Sequence, residues 1–113
     1  KIFHVNWFRT DDEGNFIWPG FGDNMRVLDW IIDRCDGKAD AVETAIGYEP
    51  KPEDINVEGL DGITTDTIAD LLTVDTDLWK QEVSGIREFY GKFGSKLPKE
   101  MSAQLEALEK RLG

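Results

Sequence analysis

The stretch "NFIWPGFGDN", Asn15 to Asn24, carries three large aromatic rings among residues that interrupt regular structure. Pro19 and the flanking glycines keep it out of a helix interior or a central strand. Asp23 or Asn24 then offers a short side chain suited to accept an orphan N–H at a helix start. Behind it Val27, Leu28, Ile31, Ile32 and Cys35 recur at helical spacing, and Gly37 supplies the stop. In front of it Ile2 to Phe8 alternates as a strand does, with Phe3, Val5 and Trp7 on one side and Ile2, His4 and Asn6 on the other. The polar turn Arg9 to Asn15 allows Phe16-Ile17-Trp18 to return as a second strand. This reading predicts a hairpin, an aromatic loop and a capped helix over residues 1–37.

Beyond Gly37 the pattern changes. Residues 37–78 hold two basic and eleven acidic side chains, so residues 38–63 read as an acidic, solvated connection with no long regular element. Thr64 or Thr65 is placed to cap a short helix carrying Ile68, Leu71 and Leu72. Asp75 is placed to cap the next, with Trp79, Val83, Ile86, Phe89, Tyr90 and Phe93 along one face and Gly94 at its end. Pro98 suits the first turn of a last helix striped by Met101, Leu105, Leu108 and Leu112. The predicted class is α+β and mostly helical: an N-terminal β-hairpin with an aromatic loop, then about four helices. The last segment, 64–113, forms a helical C-terminus.

The 113 residues amount to one domain or part of one, and the net charge of -10 argues against nucleic acid or an anionic membrane as partner. Cys35 is the sole cysteine, which fits a reducing compartment and leads us to expect a cytoplasmic protein. No apolar run approaches membrane-spanning length. Lys1 enters the alternating pattern at once, from which we expect a piece of a longer chain.

Conventional catalytic motifs are missing. Gly91 to Lys96, "GKFGSK", has the residue types of a phosphate loop, but the second glycine comes too early and serine precedes lysine. It reads as a helix end. His4 lacks a second histidine with which to share a metal, and reads as a strand residue with its hydrogen bonds met. Cys35 falls on the apolar face of its helix, as an inert buried thiol does. The run Asp11-Asp12-Glu13 reads as a solvated turn in preference to a cation site.

The aromatics remain: Trp7, Phe8, Phe16, Trp18 and Phe21. As a group they are hard to place in one core, because alternation sends Trp7 and Phe8 to opposite faces and Phe21 sits between two glycines. A slot for a planar ring explains them better. Aromatic faces stack on any nucleobase, with about 1–3 kcal/mol per base in single-strand binding proteins. Identity needs a polar edge contact, and Asn24 follows the loop with both donor and acceptor. An amide N–H there meets the six-position oxygen of guanine, where adenine presents a donor instead.

Two other readings stand beside this one. The chain reads alternatively as a self-sufficient module whose aromatic loop binds a sugar or a peptide. It also reads as a purely structural domain with every ring in its core.

At these residues the sequence resembles the GTP-dependent phosphoenolpyruvate carboxykinases. "FHVNWFR" (Phe3 to Arg9), "GNFIWPGFGDNMRVLDWI" (Gly14 to Ile31) and "AIGYEP" (Ala45 to Pro50) carry the resemblance, and "LLTVD" and "LEALEKRL" extend it to the C-terminal end. It implies that residues 1–113 are the C-terminal segment of a GTP-binding catalytic α/β domain, packed against the remainder of that domain. It also implies that Phe8, Phe16, Phe21 and Asn24 line the site for the guanine of GTP or GDP. Trp7 and Trp18 are left to packing or to the pocket wall. Asp23 stands where the family commonly has glutamate, and Met25 where it often has serine; both flank Asn24 without removing a pocket residue.

The family reaction interconverts oxaloacetate and GTP with phosphoenolpyruvate, carbon dioxide and GDP, in an enzyme expected to be a monomer. Manganese and a second divalent metal serve that reaction. The resemblance places their ligands, the phosphate loop and every catalytic residue outside this chain, so the segment alone is expected to be inactive.

Overall fold

A computed structural model describes all of residues 1–113. Helix α1 spans Met25–Cys35, strands β1 and β2 span Val42–Thr44 and Gly47–Glu49, and helices α2, α3 and α4 span Thr65–Leu71, Thr76–Gly91 and Lys99–Leu112. Short 3-10 turns occupy Phe21–Asp23, Pro52–Asp54 and Gly94–Lys96. The α+β class and the four helices agree with the sequence reading. No helix is long and apolar enough to cross a membrane.

The chain forms two compact units. One comprises Lys1–Val42 and Tyr48–Thr73, the other Glu43–Gly47 and Val74–Gly113. In the first, Trp18, Trp30, Ile55 and Ile68 are buried together, with Trp7, Val27, Ile31 and Leu71 packed against them. In the second, Val83, Leu105 and Leu112 are buried where α3 meets α4, flanked by Trp79, Ile86, Tyr90 and Leu108.

Two helix starts follow local chemistry as expected. The Thr64 side chain accepts from the backbone of Thr67, whose hydroxyl in turn accepts the Thr64 N–H, closing a capping box. The Asp75 carboxylate accepts the N–H groups of Asp77 and Leu78, both at 3.0 Å. Such caps typically contribute about 1 kcal/mol each. Gly37, at φ 74°, follows the end of α1 as the sequence predicts.

The N-terminal hairpin needs correction. Residues 2–9 keep the expected alternation in part: Val5 and Trp7 turn inward while Ile2, His4 and Asn6 are exposed, but Phe3, expected inward, is exposed as well. Yet only one isolated bridge, Thr10 with Phe16, joins the two arms. A strand is defined by its ladder partner as much as by its own pattern. The regular hairpin is instead β1–β2, whose tip is tied by the Thr44 hydroxyl donating to the Gly47 carbonyl at 2.7 Å. His4 accordingly lies exposed outside any strand, without the hydrogen bond expected of it.

Two apolar stripes are also displaced. On α1 the inward face is Val27, Trp30 and Ile31, because the large Trp30 indole takes the centre of the core. Leu28 and Ile32 therefore lie exposed with Met25, one turn apart along the outer face. At the end of α3, Tyr90 still packs on the core, whereas Phe89 lies to one side of it and Phe93 falls in the turn after the helix. The two phenylalanines stay exposed, edge to face on each other at 5.3 Å.

Leu105→Ala is expected to lower the unfolding free energy by about 2–5 kcal/mol, the usual range for emptying a core leucine site. Met101→Ala, on the same helix but exposed, changes it by about 0.5 kcal/mol or less. Equal losses in urea denaturation contradict this division of α4.

Candidate functional site

The aromatic region is built by sorting rings to opposite sides of one piece of chain. Along the extended segment Trp7 turns inward, and its neighbour Phe8 therefore turns outward. The Asn6 carboxamide accepts the Phe8 N–H at 3.0 Å, a local turn that fixes the backbone under the ring. Arg9 anchors the next residue: one guanidinium nitrogen donates to the carbonyls of Asp70 and Leu71 at 2.8 and 2.9 Å. Those carbonyls close α2, where helix geometry leaves acceptors unpaired and the dipole favours a cation.

The chain then reverses around Asp11. Its carboxylate accepts the N–H groups of Glu13 and Asn15 at 3.0 and 2.8 Å. These bonds, with the Asn15 N–H first among them, hold the Asp11 carboxyl below its ordinary value. The acidic run is thus a self-bonded turn, as the sequence reading preferred. Across it the Ile17 N–H donates to the Arg9 carbonyl at 3.0 Å. The reversal brings Phe16 beside Phe8, with centroids 5.9 Å apart and planes inclined at 62°.

Trp18 turns the other way. It is 7% exposed and lies against Trp7 with centroids 5.9 Å apart. Gly20, at φ 130° and ψ -174°, makes the bend that no side-chain-bearing residue adopts readily. Phe21 opens the 3-10 turn that runs into α1, and Asn24 sits at the junction.

Phe8, Phe16 and Phe21 are 70%, 64% and 91% exposed. The all-core reading therefore fails for the phenylalanines and holds for the tryptophans. The structure brings Phe8 and Phe16 together, while Phe21 contacts no other ring. Two surface grooves, one lined by Asp33 and Lys51 and the other by Gly22 and Arg26, include none of the four candidate residues. Phe8 and Phe16 form an open aromatic pair and Phe21 stands exposed by itself, where a slot for a planar ring is expected from the sequence.

Asn24 departs from its expected role as a cap. Its backbone is already helical, at φ -60° and ψ -29°, because the 3-10 turn leads straight into α1. From that geometry its side chain makes no capping bond. Its Oδ1 instead accepts the Trp18 indole N–H at 2.9 Å. An indole nitrogen only donates, so the amide oxygen must face it. The Nδ2 group is left without a protein partner. The sequence leaves Trp18 to packing or to the pocket wall and does not mark this bond; the pair lies six positions apart with a Pro-Gly bend between, and no periodicity encodes such a spacing.

Elsewhere, Gly91–Lys96 is the end of α3 and a 3-10 turn with no preceding strand, as read from the sequence. Cys35 is the partly buried last residue of α1.

Residues 1–111 match the family described as the phosphoenolpyruvate carboxykinase C-terminal P-loop domain. The chain belongs to this family. Among curated relatives, the GTP-dependent phosphoenolpyruvate carboxykinase of Treponema pallidum (strain Nichols) is 57% identical over 99% of this chain. Those of Renibacterium salmoninarum and Neocallimastix frontalis are 50% and 52% identical over 100% and 99% of it. In each case the chain spans 18% of the relative's length. The carboxykinase resemblance drawn from the aromatic motif thus holds over the chain as a whole.

Phe21→Ala is expected to leave stability within about 0.5 kcal/mol of the parent protein, as exposed substitutions generally do. A loss of several kcal/mol in thermal unfolding contradicts the outward placement of that ring. Acidification tests the Asp11 turn. A depressed carboxyl stabilises the fold above its ordinary value of 3.8 and stops doing so as pH falls through its folded value. Exchange protection of the Asn15 amide is expected to fall over that acid range and not above it. Loss of protection already at neutral pH contradicts the turn.

Proposed function

We propose that this chain is the guanine-recognition segment of a GTP-dependent phosphoenolpyruvate carboxykinase, the C-terminal part of its nucleotide-binding catalytic domain. The base of GTP or GDP lies on the exposed faces of Phe8, Phe16 and Phe21, and Asn24 reads its six-position edge. The observation that carries this reading is that three phenyl rings face solvent in the stretch that also holds a carboxamide whose Nδ2 is unpartnered. A donor at that edge meets the oxygen of guanine, whereas adenine brings a second donor and leaves both unpaired. The names of the relatives, each a carboxykinase using GTP, support the choice of nucleotide.

In the whole protein, oxaloacetate loses carbon dioxide to give an enolate, and the enolate oxygen takes the γ-phosphoryl group of GTP. Phosphoenolpyruvate, carbon dioxide and GDP result. The present residues contribute binding energy and base identity, which raise the share of time the phosphates spend aligned for transfer. No group of three His, Cys, Asp or Glu side chains here is arranged to hold a metal ion. By the family resemblance, manganese and a second divalent ion would be held by other parts of the enzyme. The exposed stripe Met25, Leu28 and Ile32 supports packing against the remainder of the same catalytic domain.

In the full-length enzyme Asn24→Ala is expected to weaken GTP binding more than ATP binding. The differential is about 1–3 kcal/mol if one partly buried polar partner is lost. Equal weakening of both nucleotides contradicts base reading by Asn24. Tight binding of an oligosaccharide or peptide with indifference to GTP favours a stand-alone binding module.

A further inference from the structure

We propose that Trp18 is a positioning residue: its indole N–H fixes which end of the Asn24 carboxamide faces the base, and so decides which purine is accepted. The proposal rests on the guanine reading of Asn24 given above. An asparagine amide is nearly symmetric in shape, with a donor at one end and an acceptor at the other. Rotated by half a turn, it offers its oxygen to the amino group of adenine as readily as it offers its N–H to the oxygen of guanine. A side chain that selects between these purines therefore needs something to lock its orientation.

The geometry at Asn24 supplies the lock. Trp18 Nε1 donates to Asn24 Oδ1 at 2.9 Å. Half a turn of the amide sets the indole N–H against the Nδ2 group, two donors in a partly buried place, which is unfavourable. Neither end of the bond moves easily. Trp18 is buried with Trp30, Ile55 and Ile68 and tilted against Trp7. The Asn24 backbone is held from both sides. Its N–H donates to Phe21 at 3.2 Å, and its carbonyl accepts from Val27 and Leu28 at 3.1 and 3.2 Å. With the oxygen committed to the core, Nδ2 is the end left for a ligand.

This arrangement gives position 18 a signature that ordinary damage to the core does not share. Without the indole donor the amide rotates freely, so guanine binding weakens while adenine binding strengthens. A merely loosened pocket weakens both.

The test uses the full-length protein with β-(3-benzothienyl)alanine at position 18, which keeps the bicyclic shape and replaces the N–H with sulfur. Trp18→Phe and Asn24→Ala are made alongside, and dissociation constants for GDP and ADP are measured by calorimetry. We expect the analogue to narrow the GDP-over-ADP preference about tenfold, the scale of one hydrogen bond, with ADP binding more tightly than in the parent protein. In the Asn24→Ala background the same replacement is expected to change the ratio no further. If Asn24→Ala collapses the preference while the analogue leaves it intact, or weakens both nucleotides equally, Trp18 is only a core residue and the positioning role is overturned. If Asn24→Ala itself leaves the preference intact, the guanine reading fails and this proposal falls with it. Should Trp18→Phe not fold, the analogue decides.

Discussion

The hydrogen bond from the Trp18 indole to the Asn24 carboxamide joins the two halves of this structure's logic. On one side lies a core of tryptophans, Trp7, Trp18 and Trp30, that holds the extended segment and α1 together. On the other lies a surface of phenylalanines that the same backbone turns to solvent. The residue types suit this sorting. An indole carries a polar N–H that favours a partner when buried; Trp18 finds one at the edge of the core, while the N–H of the buried Trp30 has none. A phenyl ring has no polar atom to satisfy and serves as a plain stacking face wherever it is exposed. Asn24 belongs to both sides, its oxygen committed inward and its nitrogen free.

That division explains why so much aromatic surface sits on a loop. Phe8 and Phe16 each adjoin a partly buried residue, Trp7 and Ile17, so the chain there alternates between core and solvent. Phe8 is exposed because Trp7 is inward, and Phe16 is brought to it by the Asp11 turn. Phe21 is exposed because Gly20 bends the chain away from the core and a 3-10 turn follows. Each placement has a local cause.

Much of this was legible in the sequence where the cause is local. The caps at Thr64 and Asp75 need only a short polar side chain and the turn that follows it, and both occur as read. The family likeness was carried by the aromatic motif, whose spacing is specific. The N-terminal strands were misplaced because the alternation of residues 2–9 reports which side faces the core and says nothing of a neighbour to pair with. The α1 and α3 stripes were read too broadly, since a helical period marks a face without marking how much of it a partner covers. Asp23 or Asn24 reads as a cap because the type and position of each fit one. The 3-10 turn before Asn24, which makes the backbone helical too early for capping, has no clear mark in the sequence. The contact with Trp18 depends on the Gly20 bend and was not legible at all.

A structure of the full-length protein bound to GDP tests the guanine surface most directly. The base is expected against the Phe8, Phe16 and Phe21 rings, with Asn24 Nδ2 within hydrogen-bonding distance of the six-position oxygen and Oδ1 still on the Trp18 indole. A base seated away from these rings, or on them with the Asn24 amide turned so that its oxygen faces the ligand, contradicts it.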